Sequence, residues 1–117
     1  MKYSRGLIIK KRWLDLILSG HKTWEMRSAK TNVRGPIALI EQGSGLIVGH
    51  ANLVDSIGPL STYDYYDAHD KHMIPDTIHN TKWRHAWVLV GAKRHETPIP
   101  YAHPKGAVIW VKLGEEQ

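Results

Sequence analysis

The chain has 117 residues and no cysteine, which excludes disulfides, thiolate metal sites and a cysteine nucleophile. Lys and Arg number 16 against 11 Asp and Glu, a formal charge of +5 that favours polyanions and anionic small molecules as partners. No stretch reaches the ~20 apolar residues of a membrane helix, and Lys10, Lys11 and Arg12 cut short any apolar targeting core. The expectation is one cytoplasmic domain over residues 1–117, long enough to bury a core unaided.

Tyr3 to Ile9 reads as a first strand, apolar and β-branched towards its end. From Lys11 to Ser19 the pattern turns helical, with Trp13, Leu14, Ile17 and Leu18 on one stripe and Gly20 placed to end the helix in a left-handed conformation. Such a short helix needs its stripe packed on a sheet. Thr23 to Arg27 alternates, placing Thr23, Glu25 and Arg27 on one face of a strand and Trp24 and Met26 on the core face. After a polar loop over Ser28 to Asn32 and the Gly35-Pro36 punctuation, Ile37 to Glu41 is a strand, and Gln42 to Gly45 a turn. Leu46 to Ile57 carries the longest strand pattern, with Gly49 marking a bulge or tight bend. Gly58-Pro59 ends it. Ser61 caps one helix over Thr62 to His72, with Asp64 completing a weak capping box.

Met73 to Thr81 reads as irregular and His85 to Val90 as a strand. Gly91 to Thr97 looks like a hairpin-like connection, and Pro98 to Tyr101 is extended but poor in amide donors. Ala107 to Leu113 is the last strand, and Gly114 to Gln117 should fray. The pattern predicts an α+β, mainly β domain of about five or six strands, closed or nearly closed into a small barrel, with two short flanking helices.

Nucleotide-loop, metalloprotease and serine-elbow motifs are absent. His69, Asp70, His72 and His79 imitate a metal site, but zinc needs three or four converging ligands; they are read as exposed histidines, and neither metal nor cofactor is expected. The chemistry concentrates in Gly20-His21-Lys22-Thr23-Trp24-Glu25-Met26-Arg27. Lys22 can hold a developing negative oxygen or act as a base where burial lowers its pKa. Glu25 can activate water or accept the exocyclic amine of cytosine, while Lys22 or Arg27 meets a phosphate. Lys11, Arg12, Arg34 and Arg84 are further candidates for phosphate contact, and Trp83, between two cations, for base stacking. Trp13 and Trp87 are assigned to the core.

The run from Trp13 to Arg27 resembles the signature of ASCH domains, of the PUA-like β-barrel group: a helix, then glycine, any residue, lysine, two residues, glutamate, any residue and arginine. Gly20, Lys22, Glu25 and Arg27 match it position for position. Arg34-Gly35-Pro36-Ile37, the strand from Leu46 to Asp55, and the stretch from His85 through Pro98-Ile-Pro-Tyr101 to Leu113 are similar to later elements of a bacterial and phage branch. The resemblance implies a PUA-like fold and a cleft that meets RNA, a small molecule or a modified base. It also implies a hydrolytic alternative, since some small members hydrolyse N4-acylated cytidines and at least one degrades RNA. In the amidohydrolase branch the signature lysine maps to Lys22, but its threonine nucleophile maps to Glu25; Thr23, two residues earlier, is the remaining hydroxyl candidate.

Three readings result. One is a module binding RNA or a modified nucleotide through Lys22, Glu25 and Arg27. Another is an N4-acylcytidine amidohydrolase or ribonuclease with Lys22, Glu25 and Thr23 catalytic. The last is an accessory protein with a decayed cleft, which requires Lys22 and Glu25 to be exposed. The partner expected is RNA or a modified nucleoside, with no membrane; the oligomeric state is left as monomer or weak homodimer.

Overall fold

A computed structural model describes residues 3–114, so the fraying expected at the C-terminus falls mostly outside the described residues. The apolar run at the start forms β1 (Arg5–Ile9), and the amphipathic segment forms α1 (Lys11–Leu18), whose Leu14 and Ile17 are fully buried. β2 (Trp24–Arg27), β3 (Gly35–Glu41) and β4 (Leu46–Ile57) follow. Then come α2 (Thr62–Asp67), α3 (His69–His72), β5 (His85–Pro100) and β6 (Trp110–Lys112). Among the described residues no helix is long and apolar enough to cross a membrane.

The six strands make one sheet in the order β2-β5-β4-β3-β1-β6. Only β1 and β3 are parallel, joined by a crossover that carries α1 and β2; every other pair is antiparallel. β2 and β6 stand at the two ends of this order, and the sheet curls into a half-barrel, in keeping with the small, nearly closed barrel expected. Curling needs local slack. β4 supplies it with register shifts between Ile47 and Gly49, between His50 and Asn52, and between Leu53 and Asp55. Gly49 is required here: a Cβ would run into the Lys93 carbonyl oxygen and lie 2.7 Å from Leu18 Cδ2. That close approach seats α1 on the sheet.

Both faces of the central strands are covered, which is why they read as continuous apolar runs. Leu7, Ile9, Ile37, Leu39, Leu53 and Leu89 pack beneath Leu14 and Ile17 of α1. The intervening residues Ile8, Ala38, Ile40 and Ile47 form a second cluster with Tyr3 and Val111. A third, built from Met26, Tyr65, Ile74 and Ala86, fixes the insert between β4 and β5 against β2.

Three local expectations change. The stretch Gly91 to Thr97 is not a connection: β5 runs unbroken, pairing Val90 with Asn52 and Lys93 with His50. Gly91 takes φ +63 as a bulge inside the strand, so a turn-like residue serves curvature instead of reversal. Pro98 and Pro100 are tolerated because β2 pairs only with His85–Val88, leaving that end of β5 with β4 alone. The helix expected over Thr62 to His72 breaks at Ala68 into α2 and α3, and Ser61 Oγ accepts from the Asp64 amide at 3.0 Å as its cap. The last strand is shorter than expected, although the Ile109 carbonyl and the Leu113 amide extend its pairing with β1 through Ile8 and Ser4.

Candidate nucleotide pocket

The end of α1 sets the geometry of the site. Gly20 takes φ +86, and the amides of both His21 and Lys22 donate to the Leu16 carbonyl at 3.0 Å. This tight reversal turns the Lys22 side chain inward, where it is only 2 % exposed. Its Nζ donates to the His72 carbonyl at 2.6 Å, lies 3.8 Å from Glu25 Oε1 and sits 5.2 Å from the Trp13 ring.

Glu25 lies on β2 opposite Trp87 of β5 and is 5 % exposed. Arg27, two residues on along the same face, donates from Nε to Glu25 Oε2 at 3.0 Å, and its Nη2 forms an ion pair with the same oxygen at 2.9 Å. Its Nη2 also reaches the Ile8 carbonyl at 2.8 Å, and the guanidinium lies over Trp87 at 5.4 Å. Both strong contacts on Glu25 therefore fall on one oxygen, and Oε1 has the more distant Lys22 amine. Lys22 and Glu25 are both buried, whereas the decayed-cleft reading expected both exposed.

Burial dominates the electrostatics of the amine. Desolvation lowers the Lys22 pKa from 10.5 to about 8; the Glu25 carboxylate works against this and the Arg27 guanidinium adds to it. His72 corrects an expectation, being buried rather than exposed. Its Nε2–H donates to the Tyr65 carbonyl at 2.7 Å, and its Nδ1 accepts from the Ile74 amide at 2.9 Å. Burial lowers its pKa, the Tyr65 carbonyl opposes that, and Lys22 adds to it. A neutral ring locked at both nitrogens is a structural prop for the carbonyl that receives Lys22. Among the described residues no three His, Asp or Glu side chains come together to hold a metal.

These groups open into a pocket of about 180 Å³ whose wall includes Lys22, Glu25, Arg27, Trp13 and Trp83, with Lys10 at its rim. Trp83 therefore stands where a stacking residue would be useful. Trp13, assigned to the core, is half-buried and forms pocket wall. Thr23 is exposed and lies outside the lining; its amide and carbonyl are engaged by the Lys71 carbonyl and Leu89 amide. The remaining cations are also outside the lining. Lys11 pairs with Asp15 at 2.6 Å, Arg12 lies over Trp13 at 4.5 Å, and Arg34 donates to the Thr31 and Val33 carbonyls at 2.8 Å. Arg84 binds the Asn80 carbonyl at 3.0 Å and stacks on Tyr65 at 4.9 Å. Sequence reasoning missed Gln42, Ile74 and Val108, which reach the pocket from distant loops and carry no local signal.

A family model for the ASCH domain matches residues 7–99. The chain is similar to the crystal structure of ASCH from Zymomonas mobilis, at 15% identity and a TM-score of 0.71, over 96% of this chain and 88% of that one. A serine-to-alanine mutant of that protein is similar at 15% identity and a TM-score of 0.67, covering 99% and 93% of the two chains. A tyrosine-to-phenylalanine mutant is similar at 16% and 0.68, covering 96% and 91%. No curated protein matches. The structural likeness establishes the fold, and the family match covers most of the sequence: the chain belongs to the ASCH domain family, a PUA-like fold family associated with RNA binding.

Proposed function

We propose that the pocket binds a single pyrimidine-type base, presented by RNA or as a modified nucleoside. The carrying observation is the convergence of Lys22, Glu25 and Arg27 in a pocket with two tryptophans in its wall. Its size supports one ring: a cavity of ~150 Å³ takes a benzene molecule, and this one is about 180 Å³. Arg27 orients the Glu25 carboxylate, whose Oε1 accepts the exocyclic amine of a cytosine. Lys22 keeps N–H donors for a ring oxygen substituent, and Lys10 at the rim supplies phosphate attraction.

Titration with cytidine, N4-acetylcytidine and short single-stranded RNA, followed by tryptophan fluorescence, tests this. Saturable binding is expected, with the RNA affinity falling as salt rises and all three lost in Lys22→Ala and Glu25→Gln proteins that still show a single cooperative melting transition above the assay temperature. No binding to any probe at low salt refutes the reading.

A second reading rests on the depressed Lys22. With a pKa of about 8, roughly a tenth of the amine is neutral at pH 7 and about half at pH 8. A neutral amine at the pocket wall can take a proton from water as that water attacks the acyl carbon of an N4-acylcytidine. The carbon–nitrogen bond then breaks, releasing a carboxylic acid and the free exocyclic amine, with Lys22 returning the proton to nitrogen. No threonine nucleophile is needed. Incubation with N4-acetylcytidine checks it: release of cytidine that disappears in Lys22→Met supports hydrolysis, and tight binding without release leaves the pocket a recognition site.

A further inference from the structure

We propose that the tryptophan-walled pocket is one chamber of a longer cleft that takes two consecutive nucleotides of a single RNA strand, so that the ligand is a chain and not a free nucleoside. This rests on the base-binding reading above and extends it. A second hollow, of about 480 Å³, adjoins the first and shares Ile8, Gln42 and Val108 with it. The two hollows thus meet along a common edge. The first fits one ring; the second has room for a sugar and phosphate together with a base.

The lining of the second hollow suits that load. His103 Nε2–H donates to the Ala107 carbonyl at 2.9 Å, which leaves Nδ1 to accept the Tyr101 hydroxyl proton at 2.8 Å. The imidazole is exposed yet pinned at both nitrogens, a ready-made face for a stacked base. The Tyr101 oxygen keeps its lone pairs and can accept from a sugar hydroxyl. Beside it, where the Gly45 carbonyl accepts from the Tyr101 amide at 3.2 Å, Gly43 and Gly45 take φ +79 and +70 with open space where a Cβ would stand. Ser44 between them is folded back, its Oγ donating to the Glu41 carbonyl at 2.7 Å and accepting from the Leu46 amide at 3.0 Å. Bare backbone is thereby presented to an approaching sugar–phosphate. Gln42, exposed on the shared edge, is placed to donate to the linking phosphodiester.

The experiment compares cytidine, cytidine monophosphates, and the dinucleoside monophosphates CpA and ApC by fluorescence titration of the full chain at fixed salt. One dinucleotide polarity is expected to bind at least about fivefold more tightly than the matching monophosphate, the lower end of what one stacked base contributes. His103→Ala should erase that advantage while cytidine affinity stays as in wild type. Dinucleotides binding no better than monophosphates, with cytidine still binding, overturn the two-chamber cleft and leave the base pocket standing. Failure of every probe overturns both.

Discussion

Replacing Lys22 with methionine should change how stability depends on pH. In the folded chain burial holds the Lys22 amine at about 8, against 10.5 when exposed. Between those values the unfolded chain binds a proton that the folded chain has shed, so stability rises with pH through that window. Below pH 8 both states are protonated, and the folded state carries a constant cost of about 3 kcal/mol. Relief by pH 9 amounts to roughly 1 kcal/mol and by pH 10 to roughly 2–3 kcal/mol. Burial raises the Tyr65 and Tyr101 pKa values, which favours unfolding at the alkaline end, but those groups are present in both proteins and cancel in the difference. Urea unfolding of wild type and Lys22→Met at pH 7, 8, 9 and 10 measures it. The wild type should gain on the variant by roughly 2–3 kcal/mol from pH 7 to pH 10, most of it above pH 8. A difference that stays flat with pH would show the amine to be hydrated, and would remove both the base chemistry and the desolvated pocket at once.

Arg27→Met strips Glu25 Oε2 of both its partners and should cost about 3–5 kcal/mol in urea unfolding, since a buried carboxylate is left with only the Lys22 amine at 3.8 Å; Arg27→Lys should recover only part of this, and adding Glu25→Gln to Arg27→Met should recover more. Gly49→Ala forces a methyl group against the Lys93 carbonyl and Leu18, and should lower the melting temperature by more than 5 °C, about 1 kcal/mol or more for a domain of this size. Trp83→Leu should weaken base binding by about 5- to 150-fold, the ~1–3 kcal/mol of one stacking surface, with a near-native melting curve.

Local signals made much of the site legible in the sequence. Gly20 after an amphipathic run announces the left-handed reversal, and strand periodicity places Glu25 and Arg27 on one face because they are two residues apart. Gly49 was readable for the same reason, a lone glycine in a long strand pattern. Elsewhere one signal has two physical causes. Gly91 inside a polar stretch looks like a turn, and only the pairing of Val90 with Asn52 and of Lys93 with His50 on either side reveals a bulge. Ala68 breaks a helix without glycine or proline. Trp13 carries a core signature on its stripe but stands at the stripe's edge, where helix becomes pocket wall. Gln42, Ile74 and Val108 reach the cleft only through long-range packing.

The His72 carbonyl that receives the Lys22 amine comes from 50 residues further along the chain, in the insert between β4 and β5. The signature motif therefore owns the charged head but not its berth. Lengthening, shortening or repacking residues 59–84 would re-aim Lys22 and reset its proton affinity without altering any letter of the motif. Proteins sharing the same four signature residues can consequently diverge in chemistry, and the insert, rather than the motif, is the place to look for the change.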